Sequence, residues 1–326
     1  MRWPDGIVTC PRCGSEKVTY MAARRIWQCK TRHAKAQFSI KVGTIFEDSA
    51  LGLDKWLMAM WMIANCKNGV SSHEIAASLG VTQKSAWHML HRLRLTMKDT
   101  NYASKLGTPG PLGNAPCGAA DAAVDGQDFG ATAVEVDEAF FGGKLGNMHK
   151  DRVQKMREEF PESLAEGYEQ RRDNKAPVVG MLDRESRQVR AKVVPNVKRE
   201  TLQAEILKNV KYGSAVYTDE AVVYDTLRRR YIHETVNHAE TYVNGQVHTN
   251  GLENFWSLMK RNLSGTYVAV EPFHLDRYLD EQCFRFNNRI GHTAATRFLK
   301  MATQIVGRRL TYAELTGKGL EKQPAF

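Results

Sequence analysis

Residues 132–141 read Thr-Ala-Val-Glu-Val-Asp-Glu-Ala-Phe-Phe. Apolar and polar side chains alternate with the period of a β-strand. On that period Asp137 and Glu135 share one face and Glu138 takes the other. Val134, Val136 and Phe140 make the strand a buried one, and a carboxylate there is costly unless it is paired or metal-bound. Downstream, the patterns give strands at 177–182 and 188–194 joined by a tight turn, a helix at 199–210 and a strand at 214–218. A helix at 221–230, a strand at 233–237 and helices at 251–262, 271–288 and 293–306 follow, after a charged helical insertion at 148–175. This order suits a mixed α/β sheet with helices on both faces.

Upstream, residues 101–130 are rich in Gly, Ala, Pro and Asp without a sustained period, which reads as a linker. Before it, helical periodicity runs through 54–66, 71–79 and 83–97, and short β-like pieces with turn residues fill 7–46. The organisation expected is a metal ribbon at 1–50, a helix-turn-helix unit at 51–100, the linker at 101–130, a catalytic domain at 131–310 and a tail at 311–326.

The chain has 46 Lys and Arg against 36 Asp and Glu, a net charge of +10. Residues 1–100 hold 15 basic and 7 acidic side chains, so most of the excess lies at the front. Such a bias favours a polyanion, because neutralising phosphates releases condensed counterions. The longest apolar run, 56–64, is about half of the roughly 20 residues that cross a bilayer. No leader pattern opens the chain, and six unevenly spaced cysteines do not form a disulfide framework. The expectation is a soluble, cytoplasmic protein without a membrane partner.

Cys10 and Cys13 form a CxxC knuckle, and Cys29 with His33 offers a second, so four ligands could close around one structural Zn²⁺. The alternative is that Cys29 is a small buried hydrophobe and His33 a surface base. In 70–88, Ser71 or Ser72 can cap a helix, Gly80 permits a sharp turn and Thr82 caps the next helix. Gln83, Lys84, Ser85 and His88 would then face a major groove, with Arg92 and Arg94 available for phosphates. The plain alternative is a helical hairpin with a solvated face.

Phosphoryl transfer on a nucleic acid without a covalent enzyme intermediate calls for two divalent ions about 3.5–4 Å apart, held by carboxylates from separate elements. Asp137 is one candidate. Asp219 follows an apolar strand, where it could bind metal or cap the next helix. Glu253 opens an amphipathic helix, where Asn250 and Glu253 also fit a capping box. Lys260, two turns on from Glu253, shares its face, and Arg261 follows it as a further base for DNA.

Taken together, Val134-Glu135-Val136-Asp137-Glu138 with Gly142-Gly143-Lys144, Val216-Tyr217-Thr218-Asp219-Glu220 and the run from His248 to Arg261 closely resemble the ISXO-like insertion-sequence transposases. Tyr278-Leu279-Asp280-Glu281, Arg285-Phe286-Asn287-Asn288-Arg289 and Gly43-Thr44-Ile45-Phe46-Glu47-Asp48-Ser49 extend the resemblance over most of 8–290. It implies an RNase H-like catalytic fold, a D, D, E or D, D, N triad, two Mg²⁺ ions and the excision and insertion of a mobile element. Carried over by position, Asp137 and Asp219 are the first two ligands and Glu253 or Asn250 the third, while Lys260 positions DNA phosphate. The implied partners are double-stranded DNA, as terminal inverted repeats and as target, and further copies of the chain that hold two ends together. The place implied is the cytoplasm, at the nucleoid. A rival reading is a DNA-binding regulator or an inactive, domesticated transposase that uses only the ribbon and the helix-turn-helix.

Overall fold

The structure is a computed structural model describing residues 2–3, 5–98, 104–108, 132–142, 151, 154, 175–219, 222–236, 248–268 and 270–317. Most of the linker at 101–130 and of the insertion at 148–175 lies outside the described residues. The strands are β1 (Val18–Met21), β2 (Ile26–Cys29), β3 (Gln37–Phe38), β4 (Val134–Phe141), β5 (Ala176–Asp183), β6 (Gln188–Val193), β7 (Ala215–Asp219) and β8 (Ile232–Val236). The helices are α1 (Leu53–Asn65), α2 (Ser72–Leu79), α3 (Gln83–Met97), α4 (Arg199–Asn209), α5 (Asn250–Asn262), α6 (Pro272–Asn287), α7 (Ala294–Thr303) and α8 (Tyr312–Thr316). Two compact units result, one built from residues up to 98 together with those after 287, the other from the stretch between.

In the first unit β1, β2 and β3 form an antiparallel sheet. Its core is little more than Cys10, Cys29, Phe38 and the half-buried Trp3 and Trp27, too small to hold a fold without a staple. The three helices that follow are punctuated as the residues dictate. Ser71 and Glu74 form a reciprocal capping box on α2, Gly80 closes that helix in the left-handed region at φ +58°, and Thr82 accepts from Ser85 N to start α3. The C-terminal residues complete this unit. α7 packs on α1 and α3, and α8 packs on α3. Thr44 bridges Val306, with Ile45 N donating to Ile305 O at 3.0 Å and Gly307 N to Gly43 O at 3.0 Å.

The second unit is a mixed α/β fold around a five-stranded sheet in the order β6-β5-β4-β7-β8. β6, β5 and β4 run antiparallel, while β4, β7 and β8 run parallel. One face buries Val134, Val136, Val179, Met181 and Val216 against Leu202 and Ile206 of α4. The other buries Ala139, Phe141, Val178 and Leu182 under Leu252, Phe255, Trp256 and Met259 of α5 and Leu275, Tyr278 and Leu279 of α6. Those α5 residues recur at i, i+3, i+4 and i+7, the stripe that lays a helix on a sheet. At edge strand β6, side chains from α6 pair with the backbone. Asn287 Oδ1 accepts from Val189 N (2.7 Å), its Nδ2 donates to Val189 O (2.9 Å), and Asp276 Oδ1 accepts from Val193 N (2.9 Å). That blunts an edge otherwise open to strand addition.

Most elements lie within one or two residues of the sequence reading. The segment expected as a helix at 221–230 is instead a 3-10 helix, Val222–Arg229. Its buried Tyr224 and Leu227 stand three residues apart, the spacing that a 3-10 turn places in line.

Candidate active site and metal centre

The parallel ladder of β4 and β7 pairs Val134 with Val216 and Glu135 with Tyr217. Asp137 lies two residues beyond the last paired position of β4, and Asp219, the last residue of β7, two beyond that of its own strand. The carboxylates of Asp137, Glu138 and Asp219 offer oxygens that all lie within 4.8 Å of one another. All three residues are half-buried. Glu138 was expected to face away from Asp137, and by alternation its backbone does; its carboxylate nonetheless joins the cluster. The paired positions of the β4–β7 ladder end at Glu135–Tyr217, before these residues.

The electrostatics are those of a site short of positive charge. Burial, then the charge of Asp219, push the Asp137 carboxyl up to about 6, with Glu253 adding to the shift. Hydrogen bonds from Glu138 N to Asp137 Oδ1 (2.8 Å) and from Trp256 Nε1 to Asp137 Oδ2 (3.0 Å) pull the other way. Burial, then Asp219 and Asp137, raise Glu138 to about 8. Its Oε1 is buried with no hydrogen-bond partner among the described residues. A divalent cation answers both conditions, because it supplies positive charge and takes hard oxygen ligands.

α5 forms one wall. Gly180 of β5, the partner of Asp137 across the sheet, lets this helix approach: a Cβ there would stand 2.4 Å from Trp256 Cζ2. Glu253 is exposed on the first turn of α5 and near enough to bear on Asp137, though outside the 4.8 Å cluster. Lys260 and Arg261 are exposed further along the helix. Asn250 is the first helical residue and Thr249 the N-cap, which makes no side-chain capping bond, so the Asn250–Glu253 capping box is absent. The amide of Leu252 is met instead by Glu135 Oε2 at 2.9 Å. Arg184 Nε donates to Glu135 Oε1 at 2.7 Å, and its Nη2 to His248 O (2.7 Å) and Nδ1 (2.6 Å). Burial, and then Arg184, lower the His248 pKa, in keeping with a neutral ring whose Nδ1 accepts.

In the first unit the thiols of Cys10, Cys13 and Cys29 and a ring nitrogen of His33 also gather within 4.8 Å. Cys10 Sγ lies 3.5 Å from His33 Nε2 and Cys13 Sγ 3.6 Å from Cys29 Sγ. His33 Nδ1 bonds to Ala34 O at 2.8 Å, which fixes the ring and leaves Nε2 for the cluster.

The candidate DNA contacts on α3 divide. Gln83 and Lys84 are exposed, while Ser85 and His88 are half-buried. Lys84 lies over the Tyr312 ring at 5.0 Å, and His88 meets the same ring edge-on at 5.8 Å. Arg92 and Arg94, expected to be free for phosphates, are 5% and 1% exposed. Arg92 donates to Leu310 O (3.0 Å) and Glu47 O (2.7 Å). The C-terminal residues that pack on α3 were not legible as its neighbours, and through the Leu310 carbonyl they make Arg92 an internal brace. Three residues that matter here escaped the sequence reading as site groups: Glu138, Trp256 and Glu135. One signal was present, three carboxylates within four residues of an otherwise apolar strand.

With the geometry of this acidic cluster described, comparison with known proteins gives the class. Residues 130–287 match the ISXO2-like transposase domain, and residues 1–32 match the transposase zinc-ribbon domain. Residues 130–287 thus carry an ISXO2-like transposase domain, behind a transposase zinc ribbon. An uncharacterized protein in transposable element ISH50 of Halobacterium salinarum is 27% identical over 288 residues, 86% of this chain and 85% of that protein. A chain of the simian T-cell lymphotropic virus intasome, solved in complex with PP2A regulatory subunit B56 gamma, is 12% identical with a TM-score of 0.29. The match covers 68% of this chain and 66% of that one, just under two thirds of its length, and is too distant to bear on the fold. Among the described residues no helix is long and apolar enough to cross a membrane.

Proposed function

We propose that the protein cuts DNA at the ends of a mobile element and joins those ends to target DNA, using an RNase H-like domain and divalent cations. The observation that supports this reading is the convergence of Asp137 and Glu138, from the middle of β4, with Asp219, the last residue of the parallel strand β7. Three antiparallel strands followed by two parallel ones, with helices on both faces, is the order expected of an RNase H-like sheet.

The donor set fits a hard cation: three carboxylates in reach of one point, with a buried Glu138 oxygen that lacks a partner among the described residues. Bound there, divalent cations supply activation of the attacking hydroxyl and neutralisation of charge at the scissile phosphodiester. Asp137 and Asp219 hold the site, and Glu138 and Glu253 are rival third ligands, with Asn250 a weaker one. Glu138 has the cluster geometry and Glu253 the position on the family motif. Trp256 fixes the Asp137 carboxylate by its indole N–H. Lys260 and Arg261 meet phosphate from α5, and Gln83, Lys84, Ser85 and His88 present a helix-turn-helix face to DNA. Cys10, Cys13, Cys29 and His33 hold one structural Zn²⁺, whose binding stabilises a ribbon with almost no core. Because two element ends are held at once, the working form is a homo-oligomer.

Asp137→Asn or Asp219→Asn is expected to lower Mg²⁺-dependent cleavage of element-end DNA by at least about a hundredfold while end binding survives, since even groups behind a ligand are worth 10–100-fold. Cleavage at the normal rate by either variant overturns the proposal. End binding without cleavage by the unaltered protein would favour a regulator.

A further inference from the structure

A helix N-terminus leaves its first amides without partners, and the N-cap side chain normally serves the third. In α5 that service is absent. Thr249 makes no capping bond, and Leu252, the third helical residue, donates instead to Glu135 Oε2 at 2.9 Å, from a strand 117 residues earlier. Glu135 is 1% exposed. Its other oxygen takes the Arg184 Nε hydrogen bond at 2.7 Å, so the buried charge is compensated. Arg184 is itself fixed: its amide donates to Ala133 O (3.1 Å), its guanidinium lies over Tyr217 (5.0 Å), and its Nη2 grips His248 O just ahead of the helix. Gly251 leaves space for the contact, since a Cβ there would stand 2.7 Å and 3.1 Å from the two Glu135 oxygens.

We propose that Glu135, braced by Arg184, is a positioning residue that caps α5 across the sheet and so sets where Glu253 and Lys260 stand relative to Asp137, two residues along β4. The claim concerns the site described above and rests on that reading. The strand that carries Asp137 thereby also seats the helix that carries Glu253. A carboxylate is suited to this because it meets the positive end of the helix and the guanidinium together.

The test is Glu135→Gln in the full chain, which keeps the shape but removes the charge. Mn²⁺ affinity is followed by electron paramagnetic resonance, and amide hydrogen exchange is followed at Leu252–Phe255 and at β4 and β5. The expected result is Mn²⁺ binding weakened by roughly 10-fold and faster exchange in the first turn of α5, with β4 and β5 protection unchanged. Unchanged exchange at Leu252 and unchanged Mn²⁺ affinity in the folded variant overturn the proposal. Should Glu135→Gln not fold, Gly251→Ala keeps every charge and wedges a methyl group into the same contact. It should speed exchange at Leu252 and weaken Mn²⁺ binding, and normal values for both overturn the proposal. Asp137→Asn is measured alongside. If it leaves Mn²⁺ affinity intact, the metal-site reading fails by itself, and exchange at Leu252 still decides whether Glu135 seats the helix.

Discussion

Asp137 and Glu138 are neighbours on β4 whose carboxyls are raised to about 6 and about 8, first by burial and then by other carboxylates. Both therefore hold protons more tightly in the folded chain than in the unfolded one, where carboxylates titrate near about 4. Protonation thus stabilises the metal-free fold. That contribution is full below the unfolded value and is lost as pH rises through about 6 and then about 8. The Tm of metal-free protein is expected to fall over this window, less so in Glu138→Gln at its upper end, and Mg²⁺ should offset the fall. A metal-free Tm that climbs from pH 6 to 9 contradicts this account. Glu135→Ala removes the carboxylate that balances the buried Arg184 charge and should cost about 3–5 kcal/mol in a urea titration. Of these residues Asp137 was legible from the cost of a lone charge in an apolar strand. Glu138 was not, because strand alternation fixes where a Cβ points and not where a long side chain ends.

At the scale of elements, α5 is held against the sheet by a stripe legible in the sequence and by two glycines whose purpose was not. Gly180→Ala puts a methyl group 2.4 Å from the Trp256 ring. The expected cost is about 1–3 kcal/mol, typical of overpacking, and lost orientation of the indole should lower cleavage as well. Denaturant unfolding and cleavage rates measured together check this; unchanged stability would mean that α5 does not sit this close. The ribbon offers a separate test. With so small a core, removing Zn²⁺ by a chelator, or changing Cys29 to Ser, should melt β1–β3 and free the Trp3–Trp27–Phe38 cluster. Near-ultraviolet circular dichroism and zinc release report it, with one ion expected per chain. A ribbon spectrum that survives complete chelation would leave the Cys/His cluster without a structural role.

For the whole molecule, the chain closes its first unit with its last helices. Met301, Ala302, Leu310 and Leu315 are buried there, so truncation after Asn287 takes away part of a core. A protein ending at 287 is expected to lose the cooperative unfolding of residues 2–98 while the five-stranded unit keeps its own. Supplying residues 288–317 as a separate peptide should restore some of that stability, and normal unfolding of the truncated chain would refute the dependence. The division also explains why Arg92 looked like a surface base: its helix was read without Leu310, far along the chain, whose carbonyl it meets.

Composition, periodicity and capping residues by themselves determined the helix boundaries around Ser71, Gly80 and Thr82 and the order of strands and helices along the chain, and they singled out Cys10, Cys13, Cys29 and His33, which the structure gathers. These depend on spacing along the chain, which local physics reads. Only the tertiary structure decided that Glu138 joins Asp137 and Asp219, that Glu135 serves the N-terminus of α5, and that the last helices return to the first unit. Each is a meeting of residues far apart in sequence or a choice of side-chain direction, and register, packing and burial fix these only once the chain has closed on itself.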